Sequence, residues 1–117
     1  MISIYGLRNC DTCRKALKWL AAQDIEHQFY DVRKDGLTES DVARWIEELG
    51  WEALLNRRGT TWRGLAADEK DNIDGLSACR LMIEYPALIK RPIFELDGAV
   101  MVGFKDDQKS LLLKCSA

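Results

Sequence analysis

Two cysteines, Cys10 and Cys13, are the residues whose type and spacing most clearly allow chemistry. A Cys-x-x-Cys pair can cycle between dithiol and disulfide. The pair follows a predicted apolar strand, Ile2 to Tyr5, and opens a predicted helix, Arg14 to Ala22. N–H groups at a helix start carry partial positive charge, which favours thiolate over thiol. We therefore predict that Cys10 is the attacking sulfur and that Cys13, one turn inside the helix, resolves the mixed disulfide on Cys10.

Activation of the Cys10 thiol requires a second positive group. A helix terminus contributes about 0.3–1 kcal/mol, whereas lowering a pKa by one unit takes about 1.36 kcal/mol. Arg14 lies four residues after Cys10 and can fold its guanidinium back toward the helix start, while Arg8 and Lys15 flank the pair. Arg14 is therefore the predicted cation.

A metal site and a purely structural role are the alternatives for these cysteines. A zinc site would need two further ligands at regular spacing, but the sequence has no second Cys-x-x-Cys motif. The other candidate ligands, Cys79, Cys115 and His27, are scattered along the chain. We therefore predict no metal site, and a structural role stays open beside redox chemistry.

Length, composition and charge limit the other classes of function. A chain of 117 residues with 47% hydrophobic residues suits one compact domain. Its net charge of −2 argues against nucleic-acid binding through bulk electrostatics. The first residues lack the pattern of an export signal, and no run reaches the roughly 20 apolar residues of a membrane span. We expect a cytoplasmic protein with reduced thiols, and neither nucleic acid nor a membrane as partner.

Apolar periodicity places the cysteines at the start of an α/β fold. Two predicted strands, Ile2 to Tyr5 and His27 to Tyr30, flank the first helix, and this β-α-β order implies a parallel pair. A second helix begins at Thr38, which has capping-box spacing to Asp41, and stops at Gly50. Beyond it we predict further helical segments around one polar loop: Trp51 to Leu55, the loop Asn56 to Gly64, Leu65 to Asp71, and Leu76 to Tyr85.

The last third of the chain returns to strands. Asp97-Gly98 predicts a tight hairpin turn between strands at Ile93 to Leu96 and Val100 to Phe104. A final helix from about Asp106 to Lys114 is predicted to carry three residues on one side: Leu111, Leu112 and Cys115. The order βαβ, helices, ββα is the layout of a thioredoxin/glutaredoxin-like fold with a helical insertion.

Four motifs, in order along the chain, resemble the ArsC/Spx/YffB family. They are Tyr5-Gly6-(x)3-Cys10-(x)2-Cys13-Arg14-Lys15, Gly50-Trp51-Glu52-Ala53-Leu54-Leu55-Asn56, Arg58-Gly59-Thr60-Thr61-Trp62-Arg63 and Ile89-Lys90-Arg91-Pro92-Ile93. The resemblance spans nearly the whole chain and is closest to the YffB branch, through residues 50–63. The motif around the two cysteines is also similar to the redox switch of the Spx regulators.

The resemblance implies a single ArsC-like domain over residues 1–117. Its thioredoxin-like core would comprise about residues 1–33 and 86–117, and its helical insertion about residues 37–85. The family also places Cys10 at the catalytic position and implies that Arg91-Pro92 is a cis peptide bond. Together with the residues argued above, the candidate catalytic set is Cys10, Cys13, Arg14 and Arg91, and the candidate substrate-binding set is Asn9, Arg57, Arg58 and Pro92.

Arsenate reductases of this family hold the oxyanion with three arginines, and this chain departs from that pattern. Arg91 matches one of the three. Asn56 stands at the second position, with Arg57 and Arg58 directly after it, and Gly103 stands at the third. Arsenate is best held by several bidentate arginines, whereas the carboxylates of glutathione need fewer cations. The resemblance therefore favours a glutathione-dependent thiol–disulfide reductase with no bound cofactor and glutathione as co-substrate.

Two other functions found in the family stay open. One is an arsenate reductase coupled to glutaredoxin, which would need Arg57 or Arg58 to complete the oxyanion site. The other is an Spx-like redox-sensing transcriptional regulator that binds RNA polymerase and uses Cys10 and Cys13 as its sensor. A family likeness decides among these only through the chemistry of the site.

Overall fold

A computed structural model describes residues 1–116 of the chain, with the backbone alone at Ser116. In chain order its elements are β1 (Ile2–Gly6), α1 (Asp11–Ala22), β2 (His27–Asp31), α2 (Glu39–Leu49), α3 (Trp51–Leu54), α4 (Thr60–Arg63), α5 (Ala67–Lys70), α6 (Gly75–Glu84), a 3₁₀ helix (Pro86–Leu88), β3 (Ile93–Leu96), β4 (Ala99–Val102) and α7 (Asp106–Ser116). None of the helices described is long and apolar enough to cross a membrane.

The strands form one mixed sheet in the order β2-β1-β3-β4. β1 pairs with β2 in parallel and with β3 antiparallel, and in the second pair Tyr5 lies opposite Ile93. β3 and β4 form a hairpin whose turn residues, Asp97 and Gly98, have φ angles of 49° and 84°. Positive φ at both positions is the geometry that a two-residue hairpin turn favours. The predicted fold class, an α/β thioredoxin-like fold built from βαβ and ββα segments, is confirmed.

The chain forms two compact units. The first comprises residues 1–36 and the residues from Arg91 onward, and it contains the sheet with α1 and α7. The second comprises residues 37–90 and contains α2 to α6 with the 3₁₀ helix. The insertion predicted at about residues 37–85 falls inside this second unit. Residues 86–90, which the sequence assigned to the core, belong to the second unit as well.

The core of the first unit forms between α1, α7 and one face of the sheet. Its buried side chains are Ile2, Ile4, Ala16, Leu20, Ile25, Phe94, Leu96 and Leu112. On α7 only Leu112 of the three predicted neighbours joins this core, because Leu111 is 47% exposed and Cys115 is also exposed. The prediction that the three share one side was wrong, since consecutive helical positions point about 100° apart.

The second unit confirms some sequence signals and corrects others. Thr38 caps α2 by accepting the N–H of Asp41 at 3.1 Å, and the helix ends at Gly50, which has a φ of 86°. The predicted polar loop contains the short helix α4, and the next helix, α5, is shorter than predicted. Residues 54–56 and 88–90 are joined by backbone hydrogen bonds, from Asn56 N–H to Leu88 at 2.7 Å and from Lys90 N–H to Leu54 at 2.8 Å.

Candidate active site

A tight turn between β1 and α1 presents Cys10 at the start of the helix. The Cys10 N–H donates to the carbonyl of Leu7 at 3.2 Å, and the Cys10 carbonyl accepts the N–H of Arg14 at 3.0 Å. Cys10 is the N-cap residue, with extended backbone angles, so that the helix begins at Asp11 and not at Arg14. Cys10 therefore lies at a helix N-terminus, as predicted. Because the helix starts three residues earlier than predicted, Cys13 lies in its first turn.

The surroundings of Cys10 lower the pKa of its thiol. Burial opposes the thiolate, but it is outweighed by hydrogen bonds from the backbone N–H of Cys13, from the Arg91 side chain and from the Cys13 thiol. The positive charge of Arg91 acts in the same direction. Each of these groups stabilises the charged form of the sulfur. Cys10 is only partly buried, so its sulfur is within reach of a substrate.

Cys13 has the opposite environment. Its side chain is 0% exposed, and burial raises the pKa of its thiol to about 12, with the hydrogen bond and negative charge of Cys10 adding to the effect. A backbone hydrogen bond to Leu7 only partly offsets this. Gly6 permits the close packing, because a Cβ at that position would overlap the Cys13 sulfur. Cys13 is therefore protonated at neutral pH, and Cys10 is the sulfur of the pair that ionises more readily.

The cation beside Cys10 is Arg91. The sequence predicted Arg14 in that role, and this prediction was wrong. The guanidinium of Arg14 instead pairs with the carboxylate of Asp11 at 2.6 Å, where both side chains are largely exposed. An exposed pair three residues apart on a helix is a common local alternative. Arg91 reaches Cys10 because the antiparallel pairing of β1 with β3 brings the start of β3 to the end of β1.

The peptide bond between Arg91 and Pro92 is cis, as the family resemblance implies. Pro92 is buried, and its carbonyl accepts the N–H of Gly103 at 2.9 Å. Gly103 has a φ of 92°, a conformation that side-chain-bearing residues rarely adopt. A side chain at this position would therefore be strained. Asn9 is exposed within the turn that leads to Cys10.

A buried carboxylate that the sequence analysis missed lies at the end of β2. Asp31 is 5% exposed, and its oxygens accept the backbone N–H groups of Arg8 at 3.2 Å, Arg33 at 2.9 Å and Lys34 at 3.0 Å. Burial would raise the pKa of Asp31, but these N–H groups and the charge of Arg8 hold it below its ordinary value. The available signal was an aspartate directly after the predicted strand, which the structure extends by one residue to Asp31; charge is unexpected in a strand.

Arg57 and Arg58, the predicted carboxylate contacts, lie in the second unit. The Arg57 guanidinium sits 5.4 Å from the ring centre of Trp51 and 5.8 Å from that of Trp62, so two cation–π contacts hold it. The Arg58 N–H donates to the side-chain oxygen of Asn56 at 3.1 Å. A cleft of about 240 Å³ in this unit is lined by Glu52, Leu55, Arg57, Arg58 and Lys90.

Two further features concern the rest of the described residues: one cavity, and the distribution of side chains that could bind a metal. A larger cavity, of about 640 Å³, lies at the other end of β1 from Cys10 and has Ile2, Ile25 and Leu96 in its wall. Within residues 1–116, no three or more His, Cys, Asp or Glu side chains come together as a metal site would require. The chemistry that the described residues support is thus that of the two thiols.

Comparison with known proteins gives consistent matches over most of the chain. The model of the ArsC family matches residues 5–110. A protein of Haemophilus influenzae is 44% identical over 108 residues, covering 92% of this chain and 95% of its own. The global transcriptional regulator Spx 1 of Lactococcus lactis is 28% identical over 110 residues, covering 92% of this chain and 85% of the regulator.

Solved structures agree with these matches. A YffB protein superimposes with a TM-score of 0.92 at 38% identity, covering 100% of both chains. The solution structure of an arsenate reductase (ArsC) related protein from Brucella melitensis has a TM-score of 0.77 at 44% identity, covering 97% of this chain and 94% of that one. The likeness therefore extends from the sequence to the arrangement of the elements.

Proposed function

This chain belongs to the ArsC family, and from that premise we propose that it is a glutathione-dependent thiol–disulfide reductase with Cys10 as its nucleophile. The observation that carries the proposal is the contrast between the two thiols: Cys10 is partly exposed at the N-cap of α1, whereas Cys13 is 0% exposed. Nearby donors lower the pKa of Cys10, and burial raises that of Cys13 to about 12. Only a thiolate attacks a disulfide. The pair therefore offers one nucleophile with a protonated partner beside it.

In the first step, the Cys10 thiolate attacks the glutathione sulfur of a mixed disulfide. A bond forms between the two sulfurs, the substrate–glutathione disulfide breaks, and the substrate leaves as a thiolate that takes a proton from solvent. Cys10 is then joined to glutathione. Arg91 and the N–H of Cys13 stabilise the attacking sulfur while it is charged and lose that interaction as the new bond forms.

Two routes can release Cys10 from glutathione. In one, the thiolate of a second glutathione attacks the glutathione sulfur, which frees the Cys10 thiolate and yields oxidised glutathione. In the other, the Cys13 thiolate attacks the Cys10 sulfur, which forms an intramolecular disulfide and releases glutathione as a thiolate. Two further glutathione molecules then reduce that disulfide and leave as oxidised glutathione. The negative charge of Cys10 is gone in the mixed disulfide, so one cause of the high Cys13 pKa disappears, but burial, the larger cause, stays. We therefore assign the main route to glutathione and a slower one to Cys13.

The remaining candidate residues would bind the substrate. Arg57 and Arg58 remain the proposed contacts for glutathione carboxylates, because a guanidinium can bind a carboxylate through two parallel hydrogen bonds. Asn9 and Pro92 are proposed to line the path of the disulfide beside Cys10. We expect the reaction in the cytoplasm, where glutathione keeps thiols reduced.

Arsenate reduction coupled to glutaredoxin is the second candidate, and the cation beside the thiolate favours it. Arg91 hydrogen-bonds the Cys10 sulfur, and the Brucella melitensis protein of similar structure is an arsenate reductase (ArsC) related protein. Against it stands Gly103, at the position where arsenate reductases of the family carry an arginine. The positive φ of Gly103 also disfavours any side chain there. The likeness to Spx 1 supports a third candidate, a redox-sensing regulator, whose partner would be RNA polymerase.

A steady-state assay separates these candidates. The protein is supplied with glutathione and either a glutathionylated peptide or arsenate plus glutaredoxin, and Cys115→Ser serves as the control for the exposed bystander thiol. We expect turnover of the peptide by the wild type and by Cys115→Ser alike, and only background with arsenate. Turnover of arsenate alone would replace the proposal with the second candidate. Inactivity on both substrates, with polymerase recovered from oxidised cells, would replace it with the third.

A further inference from the structure

We propose that Asp31 is a positioning residue that holds the turn before Cys10, so that the Cys10 sulfur meets its hydrogen-bond donors. The inference rests on the proposed role of Cys10 as nucleophile and adds a residue that never touches the substrate. Asp31 is the last residue of β2, next to the last residue of β1 in the parallel register. It therefore stands beside the point where the chain leaves the sheet for the cysteine turn.

The carboxylate of Asp31 joins two loops. One oxygen accepts the N–H of Arg8, in the turn before Cys10, at 3.2 Å. The other oxygen accepts the N–H groups of Arg33 and Lys34, in the loop after β2, at 2.9 and 3.0 Å. A buried carboxylate is retained only when such donors compensate for its lost hydration. Asp31 is 5% exposed, so its carboxylate depends on these three donors although the donor residues themselves are exposed.

The bond to Arg8 acts on Cys10 through a single turn. Leu7 and Cys10 close that turn with a hydrogen bond of 3.2 Å, and Arg8 occupies its second position, whose N–H points away from the closing bond. Fixing the Arg8 N–H therefore fixes the orientation of the whole turn. The Arg8 guanidinium adds a second tie to β2, since it lies 5.2 Å from the ring centre of Phe29.

Two neighbouring contacts make the junction stiff. The N–H of Val32 donates to the Gly6 carbonyl at 2.9 Å, and the N–H of Asp31 donates to the carboxylate of Asp35 at 2.7 Å. Gly6 in turn packs against the Cys13 sulfur. Two bonds from this junction therefore reach the segment that leads to Cys10 and Cys13: the one from Arg8 to Asp31 and the one from Val32 to Gly6.

Two possible roles of Asp31, holding the turn and acting as a nearby negative charge, predict opposite effects of its removal on the ionisation of Cys10. If Asp31 acted only as a nearby negative charge, its removal would favour the Cys10 thiolate and speed its alkylation at neutral pH. If Asp31 positions the turn, its removal loosens the hydrogen bonds from Cys13 and Arg91 and disfavours the thiolate. The groups that face the Cys10 sulfur are Arg91 and Cys13, and the charged group that faces Asp31 is Arg8.

The substitution Asp31→Asn tests the inference with little change in shape. The asparagine oxygen can still accept from Arg33 and Lys34, but its amide group then faces the Arg8 N–H, donor to donor. Asp35→Asn is the matched control, because it removes a negative charge beside Asp31 while its side-chain oxygen can still accept the Asp31 N–H, and it leaves the Arg8 contact in place. The readout is the rate of Cys10 carbamidomethylation by iodoacetamide across pH, followed by peptide mass in the Cys115→Ser background.

We expect Asp31→Asn to move the midpoint of the pH profile upward and to slow Cys10 alkylation at pH 7 by about three- to tenfold, with Asp35→Asn unchanged. An unchanged or downward midpoint in a folded Asp31→Asn protein would overturn the inference. If Asp31→Asn does not fold, Arg8→Pro removes the same donor at a turn position that proline favours, and Arg8→Ala keeps that donor. We then expect Cys10 alkylation to be slower in Arg8→Pro than in Arg8→Ala. Equal alkylation rates in these two variants would contradict the inference.

The alkylation measurement uses no glutathione and no disulfide substrate. The proposed function can therefore fail, with no turnover of glutathionylated peptide, while the pH profile of Asp31→Asn still shows whether the aspartate positions Cys10. Conversely, normal turnover with an unchanged profile would reject the role of Asp31 and leave the reductase proposal intact.

Discussion

Replacing Cys10 by serine is expected to lower glutathione-dependent turnover of a mixed disulfide by at least about a thousandfold, since a hydroxyl cannot form the sulfur–sulfur bond that carries the reaction. The same replacement at Cys13 is expected to keep turnover within about tenfold of the wild type. A serine at position 13 retains a hydrogen-bond donor for the Cys10 sulfur, and a second glutathione releases the mixed disulfide without Cys13. Steady-state rates of the two variants, measured side by side, give the comparison.

The two variants are a matched pair, because each removes one sulfur and the sulfurs lie one helical turn apart. Far-ultraviolet circular dichroism of both variants establishes that they are folded. Equal loss of activity in the two would contradict the assignment of roles, since it would make the intramolecular disulfide an obligatory intermediate. Equal retention would show that neither thiol is the nucleophile.

Removing the charge of Arg91 is expected to slow the alkylation of Cys10 at pH 7 by about tenfold, because a charge-assisted hydrogen bond to the thiolate is lost. Burial of Cys10 works against the thiolate, and Arg91 is one of the groups that outweigh it. Arg91→Met, which keeps much of the apolar stem, should therefore raise the pKa of Cys10. The measurement is the rate of reaction with iodoacetamide as a function of pH.

The sign of the effect changes along the pH axis. Below the pKa of Cys10, the wild type holds more thiolate and reacts faster than Arg91→Met. Above the ordinary range for a thiol, both proteins are fully ionised, and the variant reacts slightly faster because a more basic thiolate is a better nucleophile. Two parallel profiles with no crossing would contradict a direct effect of Arg91 on ionisation.

Arg14 provides the control for this prediction. Arg14→Met removes one arginine from the same region, but its guanidinium is exposed and paired with Asp11, so we expect a change of less than about twofold. Arg91→Lys keeps the positive charge and should recover part of the wild-type rate. If Arg14→Met slowed Cys10 alkylation more than Arg91→Met, Arg14 would be the cation that stabilises the thiolate, as the sequence predicted.

Local signals in the sequence predicted most of the fold. The hairpin turn at Asp97-Gly98 and the cap at Thr38 depend on neighbouring residues only, and both are observed. The parallel β1–β2 pair followed from a strand, a helix and a strand in succession. The prediction that Leu111, Leu112 and Cys115 share one side of α7 was wrong. Three apolar residues near the end of a helix do not reveal which of them packs against the sheet.

The candidate site was less predictable, because its groups meet only through tertiary pairing. Cys10 and Cys13 were visible as a motif. Their opposite ionisation depends on burial and on Arg91, which the register of β1 with β3 brings to the cysteine turn. Periodicity alone gives no such register, and only the family resemblance drew attention to Arg91. The choice of Arg14 overlooked a nearer partner, Asp11, that was present in the same motif.

The most direct test of the central claim is to trap the mixed disulfide. The Cys13→Ser variant is mixed with one equivalent of a glutathionylated peptide, quenched in acid, and examined by intact mass and peptide mapping. The account predicts one glutathione on Cys10, released as oxidised glutathione when free glutathione is added. A glutathione found only on Cys115, or one on Cys10 that free glutathione cannot remove, would contradict it.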